Sequence, residues 1–239
     1  MDIKPSYKDN ELSIVLPVFN EADVIKKVVG EILNYALRLV ENVEIITVDD
    51  GSQDDSLSIL NQMSSSLPEL KVISHKENIG YGGALRTGIK ASSKKWVLLM
   101  DSDGQFHINS LEKLWLQRQD YDLLLGFRQK REDAFYRLMM GKLGNSACNL
   151  ILGRRVCDIN CGFKLFKRDL IYPLSLTSSG GIINFEILFK LFKSNPSVKM
   201  QQSPVIHYPR KSGKSTGGNP KVIFKIIAEG IKIILQSKK

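Results

Sequence analysis

The stretch WVLLMDSDGQ, residues 96–105, decides the fold because a short apolar run ends there in two carboxylates. The five apolar residues 96–100 predict a buried strand. Asp101 and Asp103 follow at the carboxyl end of that strand, where ligands bind in open α/β sheets. Paired carboxylates suit Mg²⁺ or Mn²⁺ that also contacts a phosphate. A polar turn that only ends the strand is the alternative.

Two other apolar runs, LSIVLPV (12–18) and VEIITV (43–48), also predict strands that lead into polar residues. The polar residues at these two strand ends are Asn20, Glu21, Asp49 and Asp50. A carboxylate at the end of a parallel strand commonly binds a ribose hydroxyl or a base amide. Helix capping by the DDGS turn is equally compatible with the pattern. Three acidic strand ends would repel one another unless a cation or hydrogen-bond donors lie between them.

Segments with helical spacing separate these strands, which predicts βαβ units and a mostly parallel sheet. Asn20 is a candidate cap for the first helix, and further strands are predicted at 71–74, 122–126 and 205–209. In the second half, Ala134–Leu152 predicts a helix with one apolar side. That side contains Phe135, Leu138, Met139, Leu143, Ala147 and Leu150.

Composition limits the function classes. The 239 residues, 43% of them hydrophobic, suffice for one large core. The net charge of +9 implies an anionic partner, which is nucleic acid, an anionic membrane or a phosphorylated substrate. Three cysteines without a CxxC pair indicate reduced thiols. We expect neither a signal peptide nor a membrane-spanning helix, because no apolar segment is suitable for either.

Basic residues near the strand ends are candidates for phosphate contact. Arg128 and Arg131 follow the DLLLG strand, and Arg210 and Lys214 lie in the loop RKSGKS. Arginine binds phosphate with two parallel hydrogen bonds, although most basic residues simply lie on a solvated face. The glycine-rich stretch 78–88 enters a helix that contains Arg86, but it matches no established phosphate loop. Close helix packing explains its glycines at least as well.

The last segment, residues 220–239, predicts a basic amphipathic helix. Lys221, Lys225 and Lys232 share one face, and isoleucines cover most of the remainder. Such a helix contacts a membrane surface or a partner, or docks on its own domain. We therefore divide the chain into a catalytic domain, 1–219, and this helix, 220–239.

Taken together, these motifs resemble the family-two glycosyltransferases of GT-A fold, in particular the branch similar to dolichol-phosphate mannose synthase. The resemblance is based on PVFNE (17–21), DDGSQDDS (49–56), NIGYGGALRTGI (78–89), DSDGQ (101–105), GFRQKRED (126–133), DINCGF (158–163) and RKSGKS (210–215). It implies a Rossmann-like, mostly parallel sheet flanked by helices. Many members carry transmembrane helices after this domain, whereas the sequence here contains only the amphipathic helix.

The resemblance also implies roles for individual residues. Asp101, Asp103 and Gln105 would hold Mg²⁺ or Mn²⁺ on the donor diphosphate. Arg128 and Arg131 would contact the acceptor phosphate and, with the two aspartates, form the catalytic set. Pro17, Glu21 and Asp50 would hold the nucleoside, Arg210 with Lys214 would bind the pyrophosphate, and Asn184 to Glu186 corresponds to an acceptor loop of the family. Further candidates for nucleotide binding are Asn20, Asp49, Arg86 and Gln105.

The function expected from the resemblance is an inverting transfer of a hexose, mannose or glucose, from GDP-mannose or UDP-glucose to a dolichyl- or undecaprenyl-type phosphate. We expect a peripheral enzyme on the cytoplasmic face of a membrane, attached by its own helix or by a membrane subunit. A soluble glycosyltransferase acting on a saccharide hydroxyl is the alternative. Nucleic-acid binding is disfavoured, because acidic strand ends would repel a phosphate backbone and no RNA- or DNA-binding signature occurs.

Overall fold

A computed structural model describes residues 10–129, 135–208 and 229–235. The strands in these ranges are β1 (Glu11–Val18), β2 (Asn42–Asp49), β3 (Leu70–Ser74), β4 (Trp96–Leu99), β5 (Leu123–Arg128), β6 (Lys164–Lys167) and β7 (Met200–Val205). The helices are α1 (Ile25–Leu39), α2 (Ser56–Ser64), α3 (Tyr81–Ala91), α4 (Ser110–Gln117), α5 (Phe135–Leu152), α6 (Arg168–Ile171) and α7 (Ile183–Ser194). Residues 229–235 are also helical.

The described strands form one seven-stranded sheet in the order β3-β2-β1-β4-β6-β5-β7. Every neighbouring pair is parallel except the two pairs that involve β6. The predicted α/β class with a mostly parallel sheet flanked by helices is therefore confirmed. Helices cover both faces, since alternate residues of β1 enter two separate apolar clusters. Leu12, Ile14 and Leu16 pack on the side of α1 and α4, whereas Val15 packs on the side of α3 and α7.

The reversed direction of β6 determines which loops meet. Lys164, the first residue of β6, pairs with Leu99 near the end of β4 and with Leu125 of β5. The segment that precedes β6 therefore reaches the same edge of the sheet as the carboxyl ends of the parallel strands. This edge is where the acidic residues lie.

Two local predictions were wrong. The strand expected at 205–209 is instead β7, Met200–Val205, which lies at the edge of the sheet and tolerates Pro204 there because one side of an edge strand needs no hydrogen-bonded partner. Asn20 does not cap α1, which begins at Ile25. Asn20 instead has a positive φ of 55°, a conformation that asparagine adopts more readily than most residues.

Two helical regions bear on contacts outside the domain. The apolar side predicted for Ala134–Leu152 is exposed along α5, at Met139, Leu143 and Leu150. In residues 229–235, by contrast, Ile233 is buried in the cluster that contains Ile182 and α7, so this piece docks on the domain. The boundary between 219 and 220 lies outside the described residues. None of the described helices is both long and apolar enough to span a membrane.

We predict that α3 tolerates no side chain at Gly88, because a Cβ there would overlap Cγ1 of Val15. Gly88→Ala should lower the free energy of unfolding by about 1–3 kcal/mol, as overpacking does. Urea denaturation followed by circular dichroism measures the effect.

The matched control is Gly30→Ala in α1, where nothing lies within 4 Å of an added Cβ and where alanine should stabilise the helix by about 0.5–1 kcal/mol. Adding Val15→Ala to Gly88→Ala should recover part of the loss. Equal stability of the two single alanine variants would contradict the packing explanation.

Candidate functional site

A cleft of about 320 Å³ opens at the carboxyl edge of the sheet. Its lining residues are Pro17, Val18, Phe19, Glu21, Asp50, Asn78, Tyr81, Ala84, Asp101, Ser102 and Asp103. Five of the predicted site residues are therefore brought together here, and they are Pro17, Glu21, Asp50, Asp101 and Asp103. The volume lies at the lower end of the range for small-molecule sites.

The loops after β1 and β2 hold each other through side chains. The amide of Asn20 donates to Oγ of Ser52 at 3.0 Å, and the amide of Gln53 donates to Oδ1 of Asn20 at 2.8 Å. The amide of Glu21 donates to Oγ of Ser56 at 2.8 Å. Asn20 therefore contributes to the site by fixing the loop that carries Glu21, and its predicted contact with a nucleotide stays a prediction.

Asp50 follows the end of β2, and its carboxylate is surrounded by hydrogen-bond donors. Nδ1 of His75 lies 2.7 Å from Oδ1 of Asp50, and the amides of Ile79 and Gly80 donate to its two oxygens at 3.1 and 2.8 Å. These contacts fix the carboxylate in the cleft wall. Asp49 is buried beside it and accepts a hydrogen bond from the amide of Ser52 at 3.1 Å, so it caps the turn.

Asp101 is fixed from two sides. The hydroxyl of Tyr81 donates to Oδ1 of Asp101 at 2.7 Å. The carboxylate also packs on Gly162, where an added Cβ would overlap it. In the same loop, the hydroxyl of Ser102 donates to the carbonyl of Pro17 at 2.6 Å, which ties the DSDGQ loop to the end of β1.

Behind Tyr81, buried polar groups continue the hydrogen-bonded chain. Nζ of Lys164, which is fully buried, donates to Oδ1 of Asn184 at 2.7 Å and also to the carbonyl of Cys161. The side chain of Asn184 in turn hydrogen-bonds the hydroxyl of Tyr81. Burial and the adjacent Asp101 raise the pKa of Tyr81, so its hydroxyl stays protonated and continues to donate. Three elements, β6, α7 and α3, thus orient one carboxylate.

Arg128, at the end of β5, forms a two-pronged ion pair with Asp158. Nε lies 2.7 Å from Oδ2, and Nη2 lies 2.9 Å from Oδ1. The side chains are 15% and 11% exposed, so the pair is largely shielded from water. Burial alone would lower the pKa of Arg128, but its hydrogen bonds to the Asp158 carboxylate and the charge of that group outweigh the burial and raise the pKa above its ordinary value. Because β4 and β5 both run antiparallel to β6, Arg128 at the end of β5 lies at the same edge of the sheet as Asp101.

Glu186 is fully buried, and its carboxylate organises the loop before α7. It accepts hydrogen bonds from the amides of Thr177 and Ser178 at 2.9 and 2.8 Å, and Nζ of Lys190 lies 2.6 Å away. Burial raises the pKa of Glu186, but these donors more than compensate and lower it overall. The carboxylate is therefore an ionised structural anchor.

The glycines of the stretch 78–88 serve close packing. Added Cβ atoms at Gly80 and Gly82 would overlap backbone atoms of Ser179 and Ser178 respectively. The guanidinium of Arg86 donates to the carbonyl of Ser178, so this side chain braces the same loop. A nucleotide contact by Arg86 stays a prediction.

The remaining metal candidates lie in one turn after β4. The amide of Gln105 donates to Oδ1 of Asp103 at 3.0 Å, and Nε2 of Gln105 donates to the carbonyl of Tyr208 at 2.9 Å. Within the described ranges, no three His, Cys, Asp or Glu side chains converge enough to hold a metal ion alone. The oxygen donors of Asp101 and Asp103 on one cleft fit a cation that completes its coordination with phosphate and water, as Mg²⁺ does.

Other predicted residues lie outside the described part of the chain, and these are Arg131, Arg210 and Lys214. Conversely, the support that the site receives from His75, Tyr81, Lys164 and Asn184 was not predicted. Tyr81 and Asn184 lie in segments already linked to the family. His75 and Lys164 carry no sequence signal, because a lone histidine and a lysine within a short strand are compatible with many roles.

The sequence matches the family model described as glycosyl transferase family 2 over residues 13–174. The chain is 26% identical over 231 residues to a dodecaprenyl-phosphate galacturonate synthase of Rhizobium johnstonii, covering 94% of this chain and 66% of that protein. It is 27% identical over 167 residues to an undecaprenyl-phosphate 4-deoxy-4-formamido-L-arabinose transferase of Proteus mirabilis, covering 69% and 51%. The chain thus spans about half to two thirds of the length of these relatives.

Among solved structures, the fold is similar to glucosyl-3-phosphoglycerate synthase of Mycobacterium tuberculosis in complex with Mn²⁺ and UDP-glucose. The TM-score is 0.69 at 20% identity, and the alignment covers 95% of this chain and 78% of that one. The predicted GT-A fold is therefore confirmed.

We predict that Tyr81→Phe weakens Mn²⁺ binding in the presence of UDP or GDP by about tenfold to a hundredfold. The reason is that a lost partner behind a metal ligand typically has this effect. Isothermal titration calorimetry measures the affinity. Tyr172→Phe removes a hydroxyl from a tyrosine packed between Lys90 and Arg168 and serves as the control. Unchanged Mn²⁺ affinity in a folded Tyr81→Phe protein would show that Asp101 needs no such support.

Proposed function

The chain belongs to glycosyl transferase family 2, and we propose that it transfers a hexose, mannose or glucose, from a nucleoside-diphosphate sugar to a polyprenyl phosphate with inversion. The observation that carries the proposal is the juxtaposition at one sheet edge of an acidic cleft and the Arg128–Asp158 pair. The cleft would bind the nucleoside diphosphate of the donor, and Arg128 would bind the anionic acceptor.

On the donor side, Pro17, Glu21 and Asp50 would contact the nucleoside, and Asp101 and Asp103 with Gln105 would hold Mg²⁺ or Mn²⁺. The bound cation would neutralise the diphosphate as it leaves. The fixed orientation of Asp101 supports this assignment, because a carboxylate held by Tyr81 and Gly162 pays little entropy when it binds.

On the acceptor side, chemistry favours a phosphate over a sugar hydroxyl. A hydroxyl needs a positioned base, whereas a phosphate monoester with a second pKa of about 6 is already anionic. Asp158 and Glu186 are the two carboxylates that we would consider as a base. Asp158 instead binds Arg128, and Glu186 binds the loop at residues 177–178. The phosphate oxygen would attack the anomeric carbon while the bond to the diphosphate breaks on the opposite side, which inverts the configuration.

The names of the relatives support the lipid class of acceptor, since both contain a polyprenyl phosphate. The same names include a uronic acid and a substituted arabinose, so the sugar must be tested directly. A panel of labelled GDP-mannose, UDP-glucose and UDP-glucuronate with undecaprenyl or dolichyl phosphate, scored by label in the lipid extract, tests the proposal. A transfer only to soluble saccharides would favour the alternative acceptor.

Attachment to a membrane follows from the acceptor class. A polyprenyl phosphate stays in a bilayer, so the enzyme would work at a membrane surface, which we propose to be the cytoplasmic face. The segment 220–239 or a membrane subunit would contribute to attachment. The docking of Ile233 on the domain means that the apolar residues of this segment are only partly available for other contacts.

We predict that Asp103→Asn and chelation by EDTA each nearly abolish transfer, because either change removes several kcal/mol of transition-state stabilisation. The initial rate of labelled lipid formation measures both effects. Asp55→Asn, at an exposed position after the DDGS turn, is the control and should retain activity. Full activity in EDTA would remove the metal from the mechanism.

We predict that removing the charge of Arg128 lowers kcat/KM for the lipid phosphate at least tenfold, or about 1.4 kcal/mol, and leaves KM for the donor nearly unchanged. Arg128→Ala alone would strand Asp158 without its partner, at a cost of about 3–5 kcal/mol in stability. The double variant R128Q/D158N avoids this loss, because two amides replace the two charges.

Arg155 is exposed, and Arg155→Ala is the control for the loss of one positive charge elsewhere on the protein. Transfer rates at saturating donor, with circular dichroism as a check of folding, distinguish the outcomes. Near-normal acceptor use by folded R128Q/D158N would overturn the phosphate-acceptor assignment.

A further inference from the structure

The carboxylate of Asp50 has most of its hydrogen-bonding capacity occupied by the protein. Oδ1 lies 2.7 Å from Nδ1 of His75 and accepts a hydrogen bond from the amide of Ile79 at 3.1 Å. Oδ2 accepts one from the amide of Gly80 at 2.8 Å. An ionised carboxylate offers about four acceptor positions, which are shared equally between its two oxygens. The contacts from the described part of the chain therefore fill Oδ1 and leave one position on Oδ2.

His75 is held so that its ring donates to Asp50. Nε2 of the ring lies 2.9 Å from Oγ1 of Thr87. Because an ionised carboxylate only accepts hydrogen bonds, we assign the ring proton to Nδ1, and Nε2 then accepts from the hydroxyl of Thr87. The backbone amide of His75 also donates to the carbonyl of Asp49 at 2.9 Å. The histidine is thus fixed at its ring and at its backbone, and it keeps one position of Oδ1 occupied.

The remaining position on Oδ2 is the part of Asp50 that a ligand in the cleft can use. Asp50 lines the cleft, yet only 3% of its side chain is exposed. A ligand therefore meets one acceptor at this point, rather than the two parallel acceptors of an unoccupied carboxylate. A ligand with a single N–H matches this acceptor. A ligand with two adjacent N–H groups leaves one of them without a partner on Asp50.

We propose that Asp50, held by His75, selects uracil over guanine as the base of the donor nucleotide. Uracil presents one N–H, at N3, between two carbonyl oxygens. Guanine presents two parallel donors, N1–H and the N2 amino group, which a carboxylate binds best through both of its oxygens. With Oδ1 already occupied, guanine would lose one of these hydrogen bonds, and an unpaired buried donor weakens binding. The inference rests on the proposed function, in which Asp50 contacts the nucleoside.

The same contact also disfavours cytosine. Cytosine is similar to uracil in size, but its N3 carries a lone pair in place of the proton and would face the carboxylate as a second acceptor. A site that hydrogen-bonds an N–H rejects an analogue without it, because the buried group of the protein then stays unpaired. A preference for uracil over both other bases therefore distinguishes recognition by Asp50 from a simple preference for a smaller base.

Isothermal titration calorimetry of the full chain with UDP, GDP or CDP, each with Mn²⁺, tests the proposal without a transfer reaction. UDP should bind at least about tenfold more tightly than GDP or CDP, because one lost hydrogen bond in a buried site has roughly this effect. Equal affinity for UDP and GDP, tighter binding of GDP, equal affinity for UDP and CDP, or binding of none of the three would each overturn the proposal.

His75→Asn and His75→Leu form a matched pair of variants. Asparagine and leucine have nearly the same shape, but only asparagine can donate a hydrogen bond from the position of Nδ1. His75→Asn should keep the preference for UDP. His75→Leu frees Oδ1 and allows the carboxylate to turn, so the ratio of UDP affinity to GDP affinity should fall to near one.

A loss of UDP and GDP affinity by the same factor in His75→Leu would show that His75 only stabilises the cleft, and it would overturn the role in selection. An equal fall of the affinity ratio in both variants would overturn it as well, because the N–H would then not matter. Circular dichroism checks that both variants fold, and the comparison of UDP, GDP and CDP on the wild type needs neither of them.

Transfer assays with UDP-glucose and GDP-glucose, which carry the same sugar, separate this inference from the proposed function. Transfer to a polyprenyl phosphate should be faster from UDP-glucose. Transfer from GDP-glucose at an equal or higher rate would overturn the selection of uracil and leave the lipid acceptor in place. If UDP binds with the expected preference but no sugar reaches a polyprenyl phosphate from any donor of the labelled panel, the proposed function fails and the selection of uracil stands.

Discussion

The contact between the carboxylate of Asp101 and the backbone at Gly162 is the constraint on which the site depends. Asp101 follows β4, and Gly162 precedes β6, so the two meet only because β6 runs against its neighbours. The same reversal brings Lys164 to the site edge and, through Asn184, supports Tyr81. A parallel strand in this place would direct its first residue to the opposite edge of the sheet. Asp101 would then lose its contact with the backbone at Gly162.

The second requirement is electrostatic, because several carboxylates share one edge of the sheet. Asp50 is held by hydrogen bonds with two amides and His75, and Asp101 by a hydrogen bond from the hydroxyl of Tyr81. The hydrogen bonds orient the acidic groups without removing their charge. Negative potential therefore persists in the cleft, and a divalent cation that arrives with a diphosphate would relieve it. This negative potential supports the proposed role of Asp50 and Asp101 beside a metal–phosphate pair, whereas Asp49 caps its own turn.

The sequence predicted the parallel half of the fold well, because its strands are continuous apolar runs that end in polar turns. At DINCGFKLF, residues 158–166, it predicted a polar turn that enters a strand, which is β6, but not the reversed direction of that strand, and the position predicted for β7 was wrong. KLFK is only four residues long and contains a buried lysine, and MQQSPV is an edge strand in which polar residues and proline are tolerated. The cleft residues Glu21, Asp50 and Asp101 were found from strand ends alone. The role of Tyr81 was not, since it depends on contacts between segments far apart in the chain.

The hydrogen-bond partners of Glu186 and Asp158 distinguish a sugar hydroxyl from a phosphate as the acceptor more clearly than the cleft does. Catalysis on a hydroxyl requires a carboxylate that can accept a proton, and such a group is disabled when cations and amides stabilise its ionised form. Donors lower the pKa of Glu186 in this way, and Asp158 bonds to Arg128 through both oxygens. The same bonds raise the pKa of Arg128 and keep it charged. An acceptor that is already anionic uses that charge and needs no base, which is the combination that a phosphate monoester offers.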